Sequence, residues 1–168
     1  MTGTKIDGLE VAKNVKQNVL EIVTKLSEQG IKPCLATILV GENPASQTYV
    51  RNKHKACEEV GITTQDHQPS ADITQEKLNA LIDSLNNDTS VHGILLQLPL
   101  PSGLNEFEAT SRILPEKDVD GLTPHNVGLL SIGSGILKPC TPSGIIEMLE
   151  YYKISLEGKN VVIINRSN

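Results

Sequence analysis

The sequence predicts an α/β protein with a parallel sheet over residues 1–138, followed by the beginning of a second, truncated α/β unit over residues 139–168. Three features predict it. Segments with helical periodicity alternate with short apolar runs. The runs at residues 34–40, 92–98 and 160–164 are nearly unbroken in apolar character, as in strands buried on both faces. The last run ends at Ile164 of a 168-residue chain, so the crossover that an inner parallel strand needs is missing from it.

The elements follow in order. Residues 8–29 read as a long amphipathic helix with Leu9, Val11, Ala12, Val15, Val19, Ile22, Val23 and Leu26 as its apolar stripe and Gly30 as its stop. The run 34–40 is the first strand, closed by Gly41. Asn43 can cap the next helix, Pro44 fits its first position, and Gly61 offers a stop after Val60. Residues 62–68 are polar and moderately β-prone, as in an edge strand. Thr74 caps a helix whose Leu78, Leu81, Ile82 and Leu85 face inward. The run 92–98 is a second buried strand, stopped by Pro99 and Pro101. A short helix is expected near 105–113, and residues 114–140 read mostly as loop. A helix starts at Thr141 and reaches about Tyr152, and residues 160–164 are read as a third buried strand.

Composition excludes several functions. The net charge of −5 offers no basic field for nucleic acid or an anionic membrane. Aromatics are 2% and Trp is absent, which disfavours stacking on single strands. No apolar run approaches a membrane span, and the N-terminus has no signal-peptide core. Cys34, Cys57 and Cys140 are an odd set without CxxC spacing, as expected of free thiols in a reducing compartment. A soluble cytoplasmic protein is expected. The cysteines and His54, His67, His92 and His125 show no ligand spacing, so no metal is assigned.

Chemistry concentrates in a few places. Ser46, Tyr49 and Lys53 fall at i, i+3 and i+7 of one helix and share a face. A hydroxyl, a flat ring and an amine suit a flat ligand and a moving proton. Tyr49-x-x-x-Lys53 alone is weak, since a solvated lysine is the commoner outcome; a working base needs its amine desolvated or near another cation. Gln97 interrupts a buried strand at its carboxyl end, where α/β sheets bind ligands. Loop backbone could equally satisfy it. Asp118 and Asp120 precede Gly121; ordinary turn chemistry explains them, and so does a carboxylate accepting two parallel N–H bonds from an amidine-like edge. Gly133-Ser134-Gly135 is not a dinucleotide fingerprint, because no strand precedes it. Asn165, Arg166 and Ser167 leave a strand where α/β folds bind phosphates.

Together these segments resemble the bifunctional methylenetetrahydrofolate dehydrogenase/methenyltetrahydrofolate cyclohydrolase family. The matching stretches run from Val40 to Ser46 with Tyr49 and Lys53, from Val91 to Pro101, from Pro115 to Leu122, and from Pro139 to Pro142 with Gly144. The resemblance implies NADP-dependent oxidation of 5,10-methylenetetrahydrofolate to the methenyl cation, then hydrolysis to 10-formyltetrahydrofolate. It makes Lys53 the catalytic lysine of the hydrolytic step, Gln97 the residue that hydrogen-bonds and tunes it, Tyr49 the ring packed on the folate, and Asp120 the carboxylate that grips the pterin edge. Ser46 is a supporting hydroxyl. It also implies a Rossmann-like NADP domain beginning at residue 139, with Asn165, Arg166 and Ser167 on the cofactor, and a homodimer for the full-length family. The family's first cofactor turn reads Gly-Arg-Ser; here Asn165 replaces the glycine. Because family chains continue beyond residue 168, dehydrogenase activity is expected to be impaired. Two other expectations stand beside this one: an inactive folate-binding fragment, and a short-chain dehydrogenase, which would need a Gly-rich turn where Gly41-Glu42-Asn43-Pro44 stands.

Overall fold

Side-chain caps open the first three helices of the computed structural model, which describes residues 5–164. Asp7, Asn43 and Thr74 turn an oxygen back to first-turn N–H groups at the starts of α1 (Gly8–Glu28), α2 (Pro44–Glu59) and α3 (Gln75–Asn87). Asn43 accepts from both Ala45 and Ser46, and Pro44 takes the position that needs no N–H. Gly61, at φ 81°, makes the left-handed turn that ends this segment.

Between the helices lie three parallel strands: β1 (Cys34–Ile38), β2 (Thr63–His67) and β3 (Gly93–Leu96), in the order β2-β1-β3. Thr37 stands opposite Asp66 on one side and Leu95 on the other. Strand alternation sends Ala36 and Ile38 to one face of the sheet. There they meet Leu78, Ile82 and Leu85 of α3 with Ala109 and Ile113, and form the main core. Thr37 takes the opposite face, under α2. The polar strand expected at 62–68 is an edge strand, half exposed.

α4 (Glu106–Arg112) packs on α3, and Arg112 grips Asp83 through two N–H bonds of 2.7 Å. A 3-10 turn (Pro115–Lys117) follows. Lys117 Nζ donates to the carbonyls of Leu85, Asn86 and Asp88 at 2.8–3.0 Å. It thereby fills acceptors that the end of α3 leaves open. The last two helices are α5 (Pro124–Ser131) and α6 (Cys140–Tyr151). α6 lies against α1: Tyr151 donates to Glu10 at 2.8 Å, and the Tyr152 hydroxyl accepts from the Asp7 amide at 3.0 Å.

Two sequence expectations are corrected and one is refined. Residues 114–140 are mostly loop as expected, but they include α5, which Thr123 caps and Pro124 starts. Residues 160–164 form no strand; Val162 and Ile163 are more than four-fifths exposed, and among the described residues no strand lies beside them to complete a ladder. The α1 stripe is only partly buried: Val11 and Val23 are covered, whereas Leu9 and Ile22 face out.

Replacing Leu78, which is fully buried, with Ala is expected to cost about 2–5 kcal/mol in urea unfolding. Phe107→Ala, at an exposed position, should stay within about 0.5 kcal/mol.

Candidate active site

The buried stripe of α2 runs through Ser46 and Val50 to the half-buried His54 and Cys57. At 3.6 residues per turn, Lys53 and Tyr49 lie progressively to one side of that stripe. Exposure follows the same order. Ser46 is buried, Lys53 is half-buried and Tyr49 is exposed.

Gln97 stands just past β3, where its backbone N–H donates to Ile38 at 2.9 Å. Alternation from Leu95 puts its side chain on the α2 side of the sheet. Its Nε2 donates to Leu98 at 2.7 Å. Its Oε1 is buried and accepts nothing. A buried amide oxygen left without a donor costs about 1–3 kcal/mol, so this acceptor is poised for one.

The loop between the 3-10 turn and α5 carries the carboxylates. Asp118 is buried and bridged to Ile94, and it accepts from the Thr123 amide at 2.8 Å, Asn126 Nδ2 at 2.9 Å and the Leu122 amide at 3.2 Å. Burial works to raise its pKa, but the N–H donors outweigh that and hold it below the ordinary carboxylate value. Gly93 leaves room for Val119; a Cβ there would collide with the valine side chain. Gly121, at φ 65°, lets the loop pass the backbone of Leu137 and Lys138.

Asp120 is half-buried, and its Oδ1 accepts from Cys140 Sγ at 3.5 Å. The same thiol reaches the Val119 carbonyl at 3.8 Å. Cys140 is exposed as a residue, yet its sulfur is tucked against this loop. Burial of the sulfur and the charge of Asp120 push the thiol up, and the Lys53 ammonium pulls the other way. Lys53, Cys140 and Asp120 therefore share one electrostatic neighbourhood, on the β3 side of α2.

Lys53 and Asp120 are thus linked, among the described residues, only through Cys140, which touches Asp120 and lies within the electrostatic reach of Lys53, and Gln97 is on the same side of the sheet. Among the described residues no hydrogen bond joins Lys53 to Gln97 or Asp120. Tyr49 flanks the group from an exposed position. Asn165, Arg166 and Ser167, expected on a cofactor, lie outside the described residues. Sequence reasoning left two participants unassigned. Asp118 folds the loop that presents Asp120, and Cys140 donates to that carboxylate; only the doubled aspartate hinted at the first.

Comparison with known proteins gives these features a context. The profile of the tetrahydrofolate dehydrogenase/cyclohydrolase catalytic domain matches residues 6–120, and that of the corresponding NAD(P)-binding domain matches residues 139–168. The chain is 65% identical over its whole length to the bifunctional protein FolD of Nitrosopumilus maritimus, of which it spans 58%. It is 55% identical over 97% of its length to the FolD protein of Methanosarcina mazei, spanning 57% of that relative. The crystal structure of the bifunctional FolD enzyme from Campylobacter jejuni superposes with a TM-score of 0.94 at 48% identity, over 98% of this chain and 58% of that one. The Trypanosoma brucei FolD structure, complexed with NADP cofactor and inhibitor, gives 0.90 at 38% identity, over 95% of this chain and 55% of that one.

Asp118 supplies a pH test. Its folded carboxyl sits below the unfolded value, so its contribution is present above about pH 4 and is lost as pH falls toward the folded value. Asp118→Asn should lower stability by about 1–3 kcal/mol near neutrality and flatten the acid limb of the urea-midpoint profile. An unchanged acid limb would contradict this.

Proposed function

Since the chain belongs to the tetrahydrofolate dehydrogenase/cyclohydrolase family, we propose that it acts in one-carbon folate metabolism on 5,10-methylene- and 5,10-methenyltetrahydrofolate. The observation that carries the proposal is the unfilled Gln97 Oε1 on the α2 side of the sheet, the side on which the charge of Lys53 reaches Cys140 and Cys140 touches Asp120. An amine, an acceptor and a carboxylate there match the needs of a cationic, N–H-rich heterocycle.

In this mechanism the Asp120 carboxylate accepts parallel N–H bonds from the pterin edge, which sets the orientation of the ring. Asp118 fixes the loop and Cys140 holds one Asp120 oxygen. Water adds to the methenyl carbon, a C–O bond forms, and one proton is released. Lys53 assists that proton's transfer, while Gln97 Oε1 accepts from the lysine N–H and keeps it aimed. Collapse of the adduct breaks the bond from that carbon to the ring nitrogen, the hydroxyl proton is transferred to the departing nitrogen, and the carbon remains as the formyl group of the 10-formyl product. Tyr49 covers the folate from the flank, and Ser46 supports the first turn of the helix.

NADP is the proposed hydride acceptor of the oxidative half. Its proposed contacts, Asn165, Arg166 and Ser167, lie outside the described residues. The chain spans under two-thirds of the relatives it matches, and the oxidative half is assigned from the family together with the domain match at 139–168. We assign residues 1–138 to the folate side and 139–168 to the start of the NADP side. A net charge of −5 and three free cysteines support a small-molecule enzyme of the cytoplasm, with no nucleic-acid or membrane partner. For the full-length family we propose a homodimer. No helix among the described residues is long and apolar enough to cross a membrane.

Lys53→Ala should slow hydrolysis of methenyltetrahydrofolate, followed by its loss of absorbance, by about 10²–10⁴. Asp120→Asn should weaken folate binding by calorimetry about tenfold or more, because one acceptor becomes a donor. Hydrolysis that survives Lys53→Ala at the wild-type rate would remove the lysine from the mechanism.

A further inference from the structure

α2 carries the proposed catalytic side chains, yet only Ser46 and Val50 are buried along its 16 residues. Polar groups also hold it to the sheet. His54 Nε2 lies 3.0 Å from Thr37 Oγ1 and 2.8 Å from Asp66 Oδ1. Thr37 Oγ1 donates its one proton to Asp66 Oδ1 at 2.9 Å. The threonine oxygen is then left to accept, and so is the carboxylate. Both partners of Nε2 are acceptors, so the ring hydrogen sits on Nε2.

The three groups come from three elements. Thr37 is 1% exposed near the carboxyl end of β1, Asp66 is on β2, and His54 is on α2. Lys53 is the adjacent residue, about 100° around the helix axis from His54. His54 therefore leans toward β2, and Lys53 leaves toward β3, where Val119, Asp120 and Cys140 lie. A helix fixed on one side by a buried hydroxyl cannot roll without swinging the amine on the other. A misplacement of about 1 Å at a reacting group can cost about 10²-fold.

We infer that His54 is a positioning residue: its bond to the Thr37–Asp66 pair sets the rotation of α2 and so directs Lys53 toward Cys140 and Asp120. This rests on the role given to Lys53 above, and the test separates the two.

Cys140 reports where Lys53 is, because the ammonium favours its thiolate. Alkylation of the full chain by iodoacetamide is followed by peptide mass spectrometry, with buried Cys34 and half-buried Cys57 as references. Lys53→Ala should slow Cys140 about twofold. His54→Ala and the isosteric Thr37→Val should slow it equally, and Thr37→Ser, which keeps the hydroxyl, should match the wild type. In the hydrolysis assay His54→Ala and Thr37→Val should lower kcat about tenfold and leave KM within about twofold. In the unaltered chain at alkaline pH, long-range 1H–15N correlation should show the His54 hydrogen on Nε2. An Nδ1–H tautomer overturns the inference. So does a wild-type Cys140 rate in His54→Ala and Thr37→Val, or in Lys53→Ala itself. If the Cys140 rates follow the expected pattern while Lys53→Ala still hydrolyses normally, the catalytic role of Lys53 fails and positioning by His54 stands.

Discussion

One buried carboxylate organises the loop on which the proposed site depends. Asp118 meets two backbone N–H groups from the turn that follows it and one side-chain amide from the start of α5. Removing an ionised carboxylate from water is costly unless such donors replace the solvent. The path the chain takes here supplies all of them together. That path bridges Asp118 to Ile94 of β3, places Thr123 as the cap of α5, and leaves Asp120 on the outer side of the turn. The two aspartates of one short segment thus have separate tasks because one is buried and saturated while the other is open.

The same division runs across α2. Apolar packing seats a helix without fixing its roll closely, since van der Waals contacts are weakly directional. Hydrogen bonds to a buried hydroxyl are directional. With His54 held over β1 and β2, the flank carrying Lys53 and Tyr49 stays open toward β3. The order β2-β1-β3 matters here, because it separates the holding side from the open side by the width of one strand.

Local signals made much of this legible in the sequence. Asn43 with Pro44, Thr74, and Gly61 have effects confined to a turn, and each acts where expected. Lys53, Gln97 and Asp120 were visible as residue types at strand ends and on a helix face. Asp118 was not separable from Asp120, because burial of the first depends on a bridge to a strand about 24 positions earlier. The anchoring of His54 was invisible for a similar reason: Thr37 and Asp66 approach it only once the strands are in register. The apolar run 160–164 shows the converse failure. Composition marked it as a strand, but a strand is a property of a pair. Thr123-Pro124 did signal α5, and the surrounding glycines obscured it.

Because β1 is the central strand, it is synthesised before either neighbour that must flank it. Its register partners follow at separations of roughly 30 residues for β2 and roughly 60 for β3. An emerging chain therefore holds β1 with one edge unpaired until β3 has left the ribosome. Over that interval β2 and α3 are the elements already made that can cover Ala36 and Ile38. The order of synthesis sets a window in which this segment is most open to chaperones and to self-association.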